Sequence, residues 1–130
     1  MGDLTLHFSR WEYKCKCGKC NLDIEPNKKL VARTETMRML MDEVVRIRSG
    51  IRCPAHNKAV GGSDTSSHLN GTGEDIDLPV KNRDRYRFDL VQAAIEAGFT
   101  RIGIAESFVH LDVDPSKNPE RLWVYPIKES

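Results

Sequence analysis

The sequence has few aromatic residues, almost no net charge and no long apolar run. Phe, Trp and Tyr make up 7% of its 130 residues, and the formal net charge is +1. A nearly balanced charge does not favour a polyanionic partner, so we expect no binding of nucleic acid. Because no apolar stretch is long enough to cross a bilayer, we also expect no membrane partner.

The start of the chain lacks the pattern of an export signal. Residues Met1 to Phe8 show no basic region followed by a long apolar run. We therefore expect a protein made in the cytoplasm, with no visible signal peptide. A chain of 130 residues is long enough to bury its own core, which predicts a single domain over residues 1–130, acting as a monomer.

The four cysteines are unevenly placed along the chain. Three cysteines cluster near the start of the chain and one lies far from them, at Cys15, Cys17, Cys20 and Cys53. Four thiolates suit a closed tetrahedral zinc site. They could equally form one or two disulfides in an oxidising compartment, or stay free thiols in a reducing one. The sequence leaves these alternatives open.

Apolar spacing along the chain predicts an α+β fold. Helical periodicity covers residues 28–45 and 84–97, and Pro54 predicts a short helix over residues 54–60. Alternating patterns predict strands over residues 46–52, 74–80, 101–105 and 108–113, the last two forming a hairpin. Residues 123–125 add an edge strand or pack the tail. We expect a small, mostly antiparallel sheet flanked by helices.

Two segments carry residues suited to bind a metal ion. In the first, His68 and Asp75 flank a Gly-rich turn, which allows the chain to reverse so that both side chains converge. In the second, strand alternation sends Phe108, His110 and Asp112 to one face, away from the apolar Val109 and Leu111. Zinc accepts imidazole nitrogen and carboxylate oxygen, and a catalytic site uses three such ligands. His68, Asp75 and His110 form such a set.

These segments resemble the D-Ala-D-Ala carboxypeptidase-like zinc peptidases, which include phage L-alanyl-D-glutamate endolysin peptidases and share the Hedgehog/DD-peptidase fold. The resemblance lies in three ordered segments: Ser66-x-His68-x-x-Gly71-x-Gly73-x-Asp75, Phe108-Val109-His110-Leu111-Asp112, and Ser49-Gly50-Ile51-Arg52 followed by residues 56–62. It implies a catalytic Zn²⁺ held by His68, Asp75 and His110. It also implies that Arg52 reaches the substrate carbonyl or its oxyanion, and that Ser66 helps to hold the substrate.

The sequence departs from the family pattern at two positions. Gly73 stands where the family commonly has Ala, a small-for-small change expected to loosen the turn and little else. Many members place a carboxylate base three residues before the last His, and that position is Ser107 here. The general base is therefore either Asp112, which we favour, or Glu106 from the hairpin turn. Asp112 could instead orient a metal ligand.

The resemblance predicts a hydrolase that cuts peptidoglycan stem peptides, with peptidoglycan peptides as its partner. A D,D-carboxypeptidase is the first expectation. The alternative is an L-alanyl-D-glutamate or cross-link endopeptidase of the endolysin type, which a phage would encode and which would act on the cell wall. The missing carboxylate at Ser107 also allows a zinc-containing binding module that has lost catalysis.

Overall fold

The computed structural model describes residues 2–126, which form one α+β unit. Its helices are α1 (Arg10–Tyr13), α2 (Lys28–Met41), α3 (Pro54–Ala59) and α4 (Arg83–Glu96), with a short 3-10 helix at Ser67–Asn70. Its strands are β1 (Ile47–Ser49), β2 (Gly73–Asp77), β3 (Arg101–Ile104), β4 (Phe108–Asp112) and β5 (Arg121–Val124). Within residues 2–126, every helix is too short or too polar to cross a membrane.

The five strands form one mixed sheet in the order β1-β2-β4-β3-β5. The predicted hairpin is present, because β3 pairs with β4 in antiparallel register. The expectation of a mostly antiparallel sheet is corrected at β5, which runs parallel to β3. Strand β4 ends opposite Arg101, the first residue of β3, and β5 begins beside that same residue. Since β5 enters at the start of β3, the two strands run in the same direction.

The two faces of the sheet differ sharply in polarity. Alternation sends the apolar side chains of β2, β3 and β4 to one face, where Ile76, Ile102, Val109 and Leu111 are buried. The core continues into α2 and α4, which contribute Leu30, Met37, Leu90, Ala93 and Ala94. The residues that alternate with these apolar ones point to the opposite face, and they include Asp75, His110 and Asp112. The candidate site residues therefore lie on the face of the sheet that is opposite the packed core.

Helix α2 ends four residues earlier than the apolar spacing predicts. Its C-cap, Asp42, has a left-handed conformation with φ of 53°, which stops the helix after Met41. Asn27 caps the other end by accepting hydrogen bonds from the backbone N–H groups of Lys29 and Leu30. Val45, predicted as part of the helix, is buried in the core from the connection that follows. The left-handed conformation of Asp42 therefore ends the helix, although the apolar spacing continues beyond it.

Candidate metal centre

The register of the sheet brings the two chemical segments together. Strands β2 and β4 are neighbours, and Asp75 lies directly opposite His110. Gly73 lies opposite Asp112 in the same ladder. Side chains opposite each other on one face of an antiparallel pair approach closely. The strand alternation expected from the sequence therefore places Asp75, His110 and Asp112 in one polar cluster.

His68 reaches the same cluster from the 3-10 helix. The Ser66 hydroxyl accepts a hydrogen bond from the His68 backbone N–H at 3.2 Å, which starts the helix. Gly71, with φ of 75°, ends it in the left-handed conformation that favours glycine. His68 Nδ1 lies 2.6 Å from the carbonyl oxygen of Gly50, to which it donates a proton. Because Nδ1 carries the proton, the lone pair of Nε2 is free to bind a metal.

The three candidate ligands converge on Asp75. Its Oδ1 lies 3.3 Å from His68 Nε2 and 2.9 Å from His110 Nδ1. The ligand atoms of His68, Asp75 and His110 all lie within 4.8 Å of one another, and all three residues are buried. Two imidazoles and one carboxylate are the donor types of a catalytic zinc site. The residues present therefore fit a zinc ion.

Asp75 is held ionised by its neighbours. Burial raises the pKa of its carboxyl, but hydrogen bonds and positive charge from His110 and His68 outweigh burial and hold the pKa well below its usual range. Its other oxygen, Oδ2, accepts a hydrogen bond from Arg52 Nη2 at 3.1 Å. An ionised carboxylate is the form that binds a metal. Arg52 thus lies at the site, next to one of the predicted ligands.

His110 lies between two carboxylates. Its Nδ1 faces Asp75, and its Nε2 lies 2.8 Å from Asp112 Oδ2. Burial lowers the pKa of His110, but the hydrogen bonds to Asp112 and Asp75 outweigh it and raise the pKa. When one ring nitrogen binds a metal, the other can donate to the remaining carboxylate. This carboxylate–imidazole–metal arrangement orients the ring and fixes its tautomer.

Asp112 is itself fixed from both sides. It is 2% exposed, and its Oδ1 accepts a 2.7 Å hydrogen bond from Arg101 Nε. The backbone N–H of Asp114 also donates to Oδ1, at 3.2 Å. Burial raises the pKa of Asp112, but His110 and Arg101 outweigh it and lower the pKa. Sequence reasoning missed Arg101, although its place on a predicted strand opposite Asp112 was a usable signal.

These side chains open into a cleft of about 310 Å³. Arg52, Ser66, His68, Asp75, His110 and Asp112 all line it. Two aromatic residues of the C-terminal region, Trp123 and Tyr125, form part of the wall, and the ring centroid of Trp123 lies 5.6 Å from that of His110. Lys117 lines it as well. The sequence analysis placed residues 123–125 at an edge or in the tail but did not predict this wall, because the wall depends on the parallel pairing of β5.

The second base candidate lies apart from the cleft. Glu106 is exposed in the β3–β4 turn and is not among the residues lining the cleft. Its backbone oxygen accepts a hydrogen bond from Arg87. Ser107, where the resemblance predicts a carboxylate, accepts a 2.8 Å hydrogen bond from Arg48. Of the two predicted bases, Asp112 is the one that contacts the candidate metal ligands.

The two sheet glycines make room for site residues. A Cβ on Gly73 would lie 2.0 Å from Ser67 Oγ and 3.2 Å from His110 Cε1. A Cβ on Gly103 would lie 2.6 Å from the Trp123 ring. Gly73 is the first residue of β2, so the expected loosening of a turn is not its role. Its lack of a side chain lets Ser67 pack against the sheet beside His110.

The four cysteines form a second cluster outside this cleft. Their sulfur atoms all lie within 4.8 Å of one another, although Cys53 is distant in sequence from Cys15, Cys17 and Cys20. A hydrogen bond from the backbone N–H of Lys19 lowers the pKa of Cys17 to about 6. The Leu22 backbone N–H lowers the pKa of Cys20, but hydrogen bonds with the other three cysteines and burial together outweigh it and raise that pKa to about 11.

Comparison with known protein families matches residues 6–112 to peptidase M15. The match covers most of the 130-residue chain and includes every residue of the polar cluster. The chain belongs to the peptidase M15 family. This is a family of zinc-dependent metallopeptidases, which agrees with the two-imidazole, one-carboxylate donor set. No curated protein resembles the chain closely enough to count as a match.

Membership in the peptidase M15 family supports the predicted class of enzyme, a zinc metallopeptidase. A zinc metallopeptidase with an α+β fold agrees with the family and with the geometry of His68, Asp75 and His110. The bond that is cut, the identity of the general base and the roles of Arg52 and Ser66 stay predictions.

Proposed function

We propose that this M15 member is a zinc-dependent peptidase that hydrolyses the stem peptides of bacterial peptidoglycan, as a D,D-carboxypeptidase. The observation that supports the proposal best is the convergence of His68, Asp75 and His110 within 4.8 Å inside an open cleft. These three residues would hold the zinc ion. When bound there, zinc supplies Lewis acidity, which activates water and polarises a carbonyl.

The residues around the ligands suit the remaining tasks of hydrolysis. Asp112 takes the proton from the attacking water and delivers it to the leaving amine, since among the described cleft residues Asp75 and Asp112 supply the carboxylates, and Asp75 serves as ligand. Arg52 donates to the oxyanion that develops on the scissile carbonyl. The Ser66 hydroxyl, which uses its oxygen to cap His68, keeps its proton for a substrate oxygen.

The cleft also supports the choice of a carboxypeptidase. Lys117 lines the cleft, and its Nζ lies 3.7 Å from Asp114 Oδ2, a long ion pair that leaves donors free. Such an ammonium suits the free C-terminal carboxylate of a D-Ala-D-Ala peptide. An endopeptidase would not need this contact. A Lys117→Ala variant should therefore raise KM for a stem peptide with a free carboxylate and leave KM for its C-terminal amide unchanged.

The deciding experiment is hydrolysis of purified peptidoglycan and defined stem peptides, with products identified by mass. Zinc-loaded protein should release the terminal D-alanine, and His68→Ala should abolish release. His7→Ala is the matched control, because His7 pairs with Glu35 on another part of the surface. Cleavage inside the stem or cross-link would show an endopeptidase. No cleavage by folded, zinc-loaded protein would favour a binding module, the reading that Ser107 allows.

The role of Asp112 is tested separately. If it transfers protons, Asp112→Asn should retain zinc and lose activity at every pH. If Asp112 only orients His110, the variant should lose zinc affinity, by about 10- to 100-fold for a partner of a ligand. Isothermal titration with zinc, beside the kinetics, separates these outcomes.

A further inference from the structure

We propose that Cys15, Cys17, Cys20 and Cys53 bind a second zinc ion, a structural one, that clamps the N-terminal segment to the residues bearing Arg52. Neither the family match nor the catalytic proposal assigns this site. It lies apart from the cleft, since none of the four cysteines lines the cleft.

The sulfur positions fit a single tetrahedral ion. A Zn–S bond of about 2.3 Å places the sulfurs of a tetrahedral site roughly 3.8 Å apart. The Cys53 and Cys17 sulfurs lie 3.9 Å apart, and all four lie within 4.8 Å of one another. Disulfides would need the thiols to approach only in pairs. Mutual proximity of all four is what one shared ion requires.

Backbone N–H groups point at three of the sulfurs. Cys53 N donates to Cys15 Sγ at 3.3 Å, Lys19 N to Cys17 Sγ at 3.4 Å, and His56 N to Cys53 Sγ at 3.4 Å. Such donors stabilise negative charge on sulfur, the form in which cysteine binds a metal. The turn that supplies the Lys19 donor depends on Gly18, whose φ is 71°. The loop is thus shaped for thiolates.

The surroundings of the cluster also favour a permanent ion. Cys15 and Cys53 are buried, at 8% and 7% exposure, whereas Cys17 and Cys20 are partly exposed. Lys16 and Lys19 line the groove beside the sulfurs, where their positive charge offsets the excess negative charge of four thiolates. Four protein ligands leave no position for substrate, which is the mark of a structural zinc site.

The clamp bears on the catalytic cleft through residues 50–53. The backbone N–H of Ile51 donates to the Tyr13 carbonyl at 2.8 Å, and that of Arg52 donates to the His68 carbonyl at 2.9 Å. Gly50 supplies the carbonyl that orients the His68 ring. Cys53 follows Arg52 directly. An ion on the four sulfurs therefore fixes the segment that positions both His68 and Arg52.

The first test is metal content measured by mass spectrometry of protein purified under reducing conditions. Wild type should hold about two zinc ions per chain, and Cys17→Ser/Cys20→Ser should hold about one. His68→Ala should also hold about one, retained on the sulfurs whether or not the protein is a peptidase. Lys14→Ala is the matched control, because Lys14 is exposed in the same segment and does not line the groove beside the sulfurs, and it should keep both ions.

Cobalt substitution and thiol modification identify the ligands without relying on a serine variant that fails to fold. Cobalt-loaded His68→Ala should show sulfur-to-cobalt charge-transfer bands. Titration of wild type with an organomercurial should release one zinc ion as the four thiols react. One zinc per wild-type chain with no sulfur–cobalt bands would overturn the proposal. So would a denatured mass lower by about two or four hydrogens, which indicates disulfides.

Kinetics test whether the second zinc ion positions Arg52 and His68. If the clamp holds Arg52 and His68, the Cys17→Ser/Cys20→Ser variant with its cleft zinc still bound should lose about 10-fold or more in kcat. Its melting temperature should fall as well. Unchanged kcat in a variant lacking the second ion would limit that ion to stabilising the fold.

Discussion

Glu74 and Asp75 are adjacent carboxylic acids on β2, yet their pKa values move in opposite directions. Asp75 faces the cleft, where His68, His110 and Arg52 keep it ionised. Glu74 faces the core and is fully buried, and burial raises its pKa to about 8 despite hydrogen bonds with Thr34 and Tyr13. Strand alternation alone separates the two environments. One face of the strand holds a charge for a metal, and the other holds a neutral acid.

The hydrogen bonds around Glu74 fit its neutral form. The Thr34 hydroxyl lies 2.8 Å from both the Leu30 carbonyl and Glu74 Oε2. One hydroxyl proton can serve only one acceptor, and a protonated Glu74 satisfies both contacts by donating to Thr34 while Thr34 donates to Leu30. The Tyr13 hydroxyl donates to Oε1 at 3.0 Å. A neutral carboxyl thus completes the network that links β2 to α2 and α1.

The largest predicted effect is the loss of zinc affinity and activity on changing Asp75, which lies on the cleft-facing side of β2. Asp75→Asn replaces a carboxylate that contacts both candidate histidine ligands, so zinc affinity and activity should fall together. We expect kcat/KM for stem peptides to drop by about three orders of magnitude, roughly 4 kcal/mol of transition-state stabilisation. Asp77→Asn is the control, because Asp77 lies on the same face but pairs with Arg48 and does not line the cleft. Equal losses in both variants would remove the special role of Asp75.

The polar cluster was predictable because it follows local rules. His68, Asp75 and His110 come from a Gly-rich turn and from strand alternation, both visible in the sequence, and the β2–β4 register then brings them together. Helix α4 over Arg83–Glu96 also lies close to the predicted residues 84–97.

The missed features depend on tertiary contacts. The mixed sheet arises where β5 joins β3, a choice made by the path of residues 113–120 rather than by a local pattern. The Trp123 wall of the cleft follows from that choice. The full burial of Glu74 was not predicted, since a carboxylate is almost never fully buried without partners. Its partners, Tyr13 and Thr34, lie 61 and 40 residues away in sequence.

The second-largest predicted effect is a loss of stability on changing Gly73, the first residue of β2. A methyl group on Gly73 would collide with Ser67 Oγ and Cβ, at 2.0 Å and 2.8 Å. Gly73→Ala should therefore lower the free energy of unfolding by about 1–3 kcal/mol, the usual cost of overpacking. Ser67→Gly removes both clashing atoms, so the double variant should regain most of the loss. Urea denaturation of the four proteins gives the coupling energy, and purely additive effects would contradict the contact.

The core face predicts a smaller, pH-dependent effect. Between its ordinary pKa of 4.5 and its folded pKa of about 8, Glu74 keeps a proton that the unfolded chain has lost. Its contribution to stability is therefore complete below pH 4.5 and is lost as pH rises to about 8. Glu74→Gln mimics the neutral acid and does not titrate. The unfolding free energy of wild type minus that of Glu74→Gln should fall by on the order of 1 kcal/mol per pH unit in this range. A constant difference would show that Glu74 is already ionised.

The smallest predicted effect is the pH-dependent stability cost of removing the Tyr13 hydroxyl, a hydrogen-bond partner of Glu74. Tyr13→Phe removes a donor to Glu74, and should cost about 1 kcal/mol at pH 6, where the acceptor is neutral, but about 2 kcal/mol at pH 9, where it is charged. Tyr86→Phe is the matched control, since its hydroxyl donates at 2.8 Å to the Val44 backbone carbonyl, which does not titrate. Burial raises the pKa of Tyr86 to about 12, so its own ionisation does not intervene. Urea denaturation at both pH values measures the two costs. If the Tyr13 cost is as constant as the Tyr86 cost, Glu74 does not change its charge across this range, and the contrast between the two faces of β2 is lost.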